Sequence, residues 1–75
     1  MGNHGVILFH TTSAAFAAEK ALISAGIDCA LIPVPRQFSS DCGISLRFPW
    51  NRKPEVAELL DTAGIETAAI HPIDS

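Results

Sequence analysis

The reactive side chains of this sequence gather in one stretch, Pro33-Val34-Pro35-Arg36-Gln37-Phe38-Ser39-Ser40-Asp41-Cys42-Gly43. It offers a thiol, a guanidinium, two hydroxyls and a carboxylate. A thiol acts as nucleophile or sulfur acceptor only as thiolate. Cations, backbone N–H groups or a helix N-terminus lower its pKa from about 8.5. Arg36 supplies such a cation, while the neighbouring carboxylate of Asp41 pushes the other way. Cys42 therefore reads as a reactive centre, or as a structural thiol packed beneath a loop, since free cysteine is often buried. Arg36 with Ser39 and Ser40 reads equally as an anion cradle or as ordinary turn chemistry. Two prolines stiffen the entry, Phe38 can pin the middle, and Gly43 can take angles closed to other residues. A connection this long exceeds the usual hairpin loop of about 2–5 residues, and such loops often carry function.

Outside the loop the candidates are fewer. His10, Thr11 and Thr12 precede a helix whose free N–H groups and dipole favour an anion, so they join Arg36, Ser39 and Ser40 as candidate ligand-binding residues. His10 ends an apolar run, which favours a partly buried structural histidine over a base. Cys29 reads as a core thiol. Trp50 reads as a cap over one end of the core rather than a partner contact. The three histidines lack zinc spacing and no C-x-x-C occurs, so no metal and no cofactor is expected. No catalytic triad order, Gly-rich phosphate loop or close carboxylate pair stands out, which favours a carrier or binding protein over an enzyme.

The elements that must position these groups follow from periodicity. Gly5 to His10 reads as a strand, and Thr11-Thr12-Ser13 offers N-cap hydroxyls. A helix from Ala14 to Ala25 follows, with Ala15, Ala18, Leu22 and Ala25 on one stripe and Gly26 as its stop. Ile27 to Ile32 is a second strand and Gly43 to Phe48 a third. After a turn at Pro49 to Lys53, Asn51 or a neighbour caps a helix through Ala63, with Val56, Leu59, Leu60 and Ala63 as its stripe. Ile65 to Ile70 is the fourth strand.

The halves repeat. A shift of 38 residues carries Ala25-Gly26-Ile27 onto Ala63-Gly64-Ile65, Leu22 onto Leu60 and Val6 onto Ile44. Two strand–helix–strand halves that cannot bury their apolar faces alone should share one sheet. The expectation is an α+β, ferredoxin-like βαββαβ sandwich with antiparallel order 4-1-3-2, one domain over residues 1–75. In that topology the 33–43 loop shares an edge with His10, Thr11, Thr12 and Ser13. His4, Cys29, Trp50 and His71 lie towards the other. If Val6, Leu8, Ile44, Leu46 and Phe48 face the helices, Ile7 and Phe9 face the open side, and a homodimer through that patch is expected.

Composition narrows the classes. The chain has 75 residues, 48% hydrophobic and 17% charged, enough apolar surface to drive collapse. Its net charge of −3 and scattered basic residues argue against nucleic acid. No apolar run approaches the roughly 20 residues that span a bilayer. The N-terminus lacks a signal-peptide pattern, so a cytoplasmic location without membrane contact is expected.

At these residues the chain resembles the selenium/sulfur carrier-like family of small bacterial proteins. The resemblance rests on Thr11-Thr12, Ala18-Glu19-Lys20-Ala21-Leu22, Ala25-Gly26-Ile27, Ile32-Pro33-Val34-Pro35-Arg36, Ser39-Ser40-Asp41-Cys42-Gly43 and Leu46-Arg47-Phe48. It covers nearly the whole chain, and the loop signature P-x-P-R-x-x-S-S-x-C-G is specific. It implies that Cys42 accepts sulfur or selenium from a donor protein and passes it on. The other reading is a small-molecule or anion-binding module without thiol chemistry.

Overall fold

In a computed structural model, which describes residues 3–38 and 43–73, the helices are fixed by their ends. Helix α1 spans Thr12–Ser24, and the Thr11 hydroxyl accepts a hydrogen bond from the Ala14 N–H at 3.1 Å. At its other end the Gly26 N–H donates to the Ile23 carbonyl and the Ile27 N–H to the Leu22 carbonyl. Helix α2, Lys53–Thr62, ends identically: Gly64 donates to Asp61 and Ile65 to Leu60. These are paired Schellman caps, each turning through a glycine at φ 79° or 72°. The expected repeat is real at the helix ends.

Those caps also correct two strand boundaries. Ile27 and Ile65 are spent closing the helices, so neither starts a strand. Strand β2 runs Ala30–Pro33 and β4 runs Ala69–Ile73, each later than the periodicity suggests. Strands β1, His4–Leu8, and β3, Ile44–Pro49, lie near their expected places. The sheet order is β2-β3-β1-β4, which is 4-1-3-2 read from the other edge, and its paired strands are antiparallel. Pro72 is tolerated because β4 is an edge strand.

The start of α2 differs from expectation. A 3₁₀ turn at Trp50–Arg52 leads into it, and no side chain caps it, so Asn51 does not act as the cap. Instead the Arg52 Nε donates to Glu55 Oε1 at 2.6 Å and Nη2 to Oε2 at 3.0 Å. This fork holds the Glu55 carboxyl below its usual range and Arg52 above its own, the hydrogen bond being the larger cause. Glu55 also sits in the first turn, where the helix dipole favours a negative charge.

The faces of β1 overturn one expectation. Ile7 pairs with Leu46 and Ile70, and Gly5 with Phe48, all on the side that meets the helices. Ile7 and Phe9 are fully buried there, with Ala15, Ala18, Leu22 and Val56. Each large side chain so buried contributes roughly 1.5–3 kcal/mol. Val6 and Leu8 therefore point to the opposite face, beside Ser45, Arg47, Ala69 and His71. The shift of 38 that aligns the helix ends misaligns the strands by one residue; Phe9 is equivalent to Phe48 and Ile7 to Leu46. Because side chains alternate along a strand, that single slip exchanges the two faces. The apolar patch proposed for a homodimer is inside the core, and the ground for that dimer goes with it.

Candidate functional site

Pro33 of β2 pairs with Ile44 of β3, so the connection between them leaves the sheet at the end where β1 finishes. Its first part is a turn in which the Phe38 N–H donates to the Pro35 carbonyl at 3.0 Å. A long contact of 3.5 Å from the Val34 N–H to the Gly43 carbonyl closes its base. Gly43 adopts φ 71°, the freedom its position in the signature required. Phe38 then lays its ring on the imidazole of His71, centroids 4.4 Å apart and 10° from coplanar. His71 lies opposite Val6 on the face without helices.

The Pro35 to Phe38 turn therefore reaches the helix-free face of the sheet. Val6 is 0% exposed there and Leu8 4%, although no helix covers them. Ser45, on the same face, is also buried, and its hydroxyl donates to the Ile32 carbonyl at 3.2 Å. That bond satisfies a polar group beneath the base of the loop.

The sequence candidates fall as follows. Cys42, Ser39 and Ser40 lie outside the described residues. Arg36 is exposed in the turn before Phe38. Thr11 is the N-cap of α1, with its hydroxyl engaged, and Thr12 is exposed on the first helical turn. His10 is exposed, not partly buried as its apolar run suggested, because β1 ends at Leu8 and Phe9 takes the last core position. No hydrogen bond or ion pair between described residues joins Arg36 to His10, Thr11 or Thr12. The two serines that complete the candidate set lie outside the described residues.

Cys29 lies just before β2 rather than within it. Its thiol is partly buried against the core and faces the Glu19 carbonyl at 3.8 Å. Burial pushes its pKa up first, and the carboxylates of Glu19 and Asp28 add to the rise. A thiol so placed is a poor nucleophile near neutral pH. With His4, Asp28 and Arg47 it lines a cleft of about 310 Å³ at the end of the sheet away from the loop. Among the described residues no group of three or more His, Cys, Asp or Glu side chains could hold a metal ion. Trp50 caps that same end, 6.0 Å from Phe48 between ring centroids and with the Lys53 ammonium 5.6 Å from its own.

His71, expected at the edge away from the loop, instead meets Phe38, because β4 starts only at Ala69 and sets His71 opposite Val6; Arg47, the other polar neighbour of Val6, was not singled out. Both sit on the helix-free face flanking Val6. The signal was available: Ser45 and Arg47 alternate with Ile44, Leu46 and Phe48, which gives β3 a polar side, while Val6 and Leu8 beside it are apolar and call for a cover.

A family model described as "Putative Se/S carrier protein-like" matches residues 4–72. No curated protein and no solved structure matches the chain. The family match spans almost the full length, and the chain belongs to that family.

Proposed function

We propose that this member of the family is a sulfur or selenium carrier in which the Cys42 thiolate is the acceptor. Membership of the family over residues 4–72 is the observation that carries the reading. The contrast between the two cysteines supports the choice of residue. Cys29 is packed against the core, and burial with two carboxylates pushes its thiol up, which disfavours it as acceptor. Cys42 is the other cysteine of the chain and falls in the loop signature.

The transfer is a thiol–persulfide exchange. The Cys42 thiolate attacks the terminal sulfur of a donor persulfide, and a new S–S bond forms at Cys42. The donor's S–S bond breaks and its inner sulfur leaves as a thiolate. The sulfane sulfur moves without an external oxidant or reductant, and the reverse exchange delivers it to an acceptor. Selenium follows the same balance with an S–Se bond formed at Cys42. The domain is a single ferredoxin-like βαββαβ unit with a donor or acceptor protein as its partner, working in the cytoplasm. Among the described residues no helix is long and apolar enough to cross a membrane.

Intact mass after incubation with a persulfide donor tests the reading. Wild type and Cys29→Ser should each gain one sulfur atom, and Cys42→Ser none. Equal uptake by Cys42→Ser, or no uptake by wild type, sinks it and leaves the anion- or ligand-binding module built on Arg36 and its neighbours.

A further inference from the structure

Strands β2 and β4 form opposite edges of the sheet. The turn of Pro35 to Phe38 starts from the β2–β3 side, yet its last ring rests on His71 of β4. Strands lie about 4.8 Å apart, so this contact reaches across β1 and ties the two edges together. Among the described residues the turn's backbone hydrogen bonds are the one within it and the long one from Val34 to Gly43, and Arg36 and Gln37 are exposed. An exposed turn opens locally at lower cost than the sheet beneath it, and the stack opposes that opening.

We propose that Phe38 and His71 form a clasp that holds the Pro35 to Phe38 turn against the helix-free face, with His71 as a positioning residue for that turn. In the clasped state Phe38 covers the His71 ring. Released, the turn uncovers that ring and Arg36 is free to follow a docking protein. A group carrier needs such a change between holding and handing over; only this consequence rests on the carrier reading.

Hydrogen exchange of the Phe38 amide, followed with those of Ile7 and Leu46, tests the clasp directly. An aromatic stack of ordinary strength predicts exchange about three- to tenfold faster in Phe38→Ala and in His71→Ala. His71→Phe should restore the slow rate, and the Ile7 and Leu46 amides should keep theirs. Cys42 should alkylate faster in both alanine variants. An unchanged Phe38 amide overturns the clasp, as does equal acceleration at Ile7 and Leu46, which would make the stack a plain part of global stability. Sulfur uptake at Cys42 with no exchange effect removes the clasp and leaves the carrier. The exchange pattern without sulfur uptake does the reverse.

Discussion

Gly5→Ala probes the packing at the end of the sheet away from the loop. A Cβ at Gly5 would lie 2.4 Å from Trp50 Cε3, 2.9 Å from Trp50 Cζ3 and 2.8 Å from Phe48 Cζ. Ordinary carbon contacts sit near 3.5–4.0 Å, so both rings overlap the new methyl. Phe48 is buried and cannot yield, whereas Trp50 is half-buried and can swing outward. Doing so gives up its contact with Phe48 and its cover over the core. Overpacking of this kind costs about 1–3 kcal/mol, and alanine returns about 0.5–1 kcal/mol by restricting the unfolded chain. Taken midway through both ranges the net loss is about 1 kcal/mol, a fall of about 4–8 °C in melting temperature for a domain this small. Urea unfolding followed by the fluorescence of Trp50, the one tryptophan, reads it directly. In Gly5→Ala/Trp50→Leu, followed by circular dichroism, the two costs should fall short of additive by about 1 kcal/mol. A Gly5→Ala protein that melts at or above the parent temperature, or strictly additive costs, refutes this account.

Thr11→Ala should lose about 1 kcal/mol by removing the hydroxyl that accepts from Ala14, and Thr11→Ser should keep it; thermal melts distinguish them. Phe9→Ala should cost about 3–5 kcal/mol as a core truncation, while Phe16→Ala, 52% exposed on α1, should stay within about 0.5 kcal/mol. If Phe9 faced outward, the two would behave alike in denaturant. The Cys29 thiol has a raised folded pKa, so its contribution to stability is full below about pH 8.5 and is lost as pH rises from there through the folded value. Cys29→Ser should remove that alkaline loss, and iodoacetamide should reach Cys29 appreciably only in the same range. Arg36 is exposed, so Arg36→Ala should leave the melting temperature unchanged while slowing alkylation of Cys42, measured by mass.

The fold was legible because the helix punctuation is strong. Gly26 and Gly64 stop their helices through the same pair of backbone bonds, and the apolar stripes of Ala15, Ala18 and Leu22 and of Val56 and Leu60 are the buried ones. Strand parity was not legible. β1 is apolar on both faces, since Val6, Ile7, Leu8 and Phe9 are all buried, so alternation offers no choice. The choice then fell to the repeat, and α1 with its 13 residues against 10 for α2 shows that the halves differ in detail. A 3₁₀ turn on one side replaces what is helix on the other. Gly5 marked the true face, because only a residue without Cβ fits under Trp50 and Phe48.

The same both-sided burial bears on the loop. A sheet with helices on one face leaves the other to water, and β1 would then alternate apolar with polar. Val6 and Leu8 break that pattern, so the sequence already asked for a second cover. Proline entry, the turn and the stack of Phe38 on His71 bring the Pro35 to Phe38 turn to the face opposite α1. The N-terminus of α1 is meanwhile served by its own cap, Thr11. The cations placed on that side are Arg36 within the turn and Arg47 of the sheet, which stands opposite Val6 and lines the cleft beside Cys29. For the acceptor proposed at Cys42, a larger loss of alkylation in Arg47→Ala than in Thr12→Ala is expected, and the comparison separates the two faces as sources of activation. A larger effect from Thr12→Ala would return the activating role to the helix.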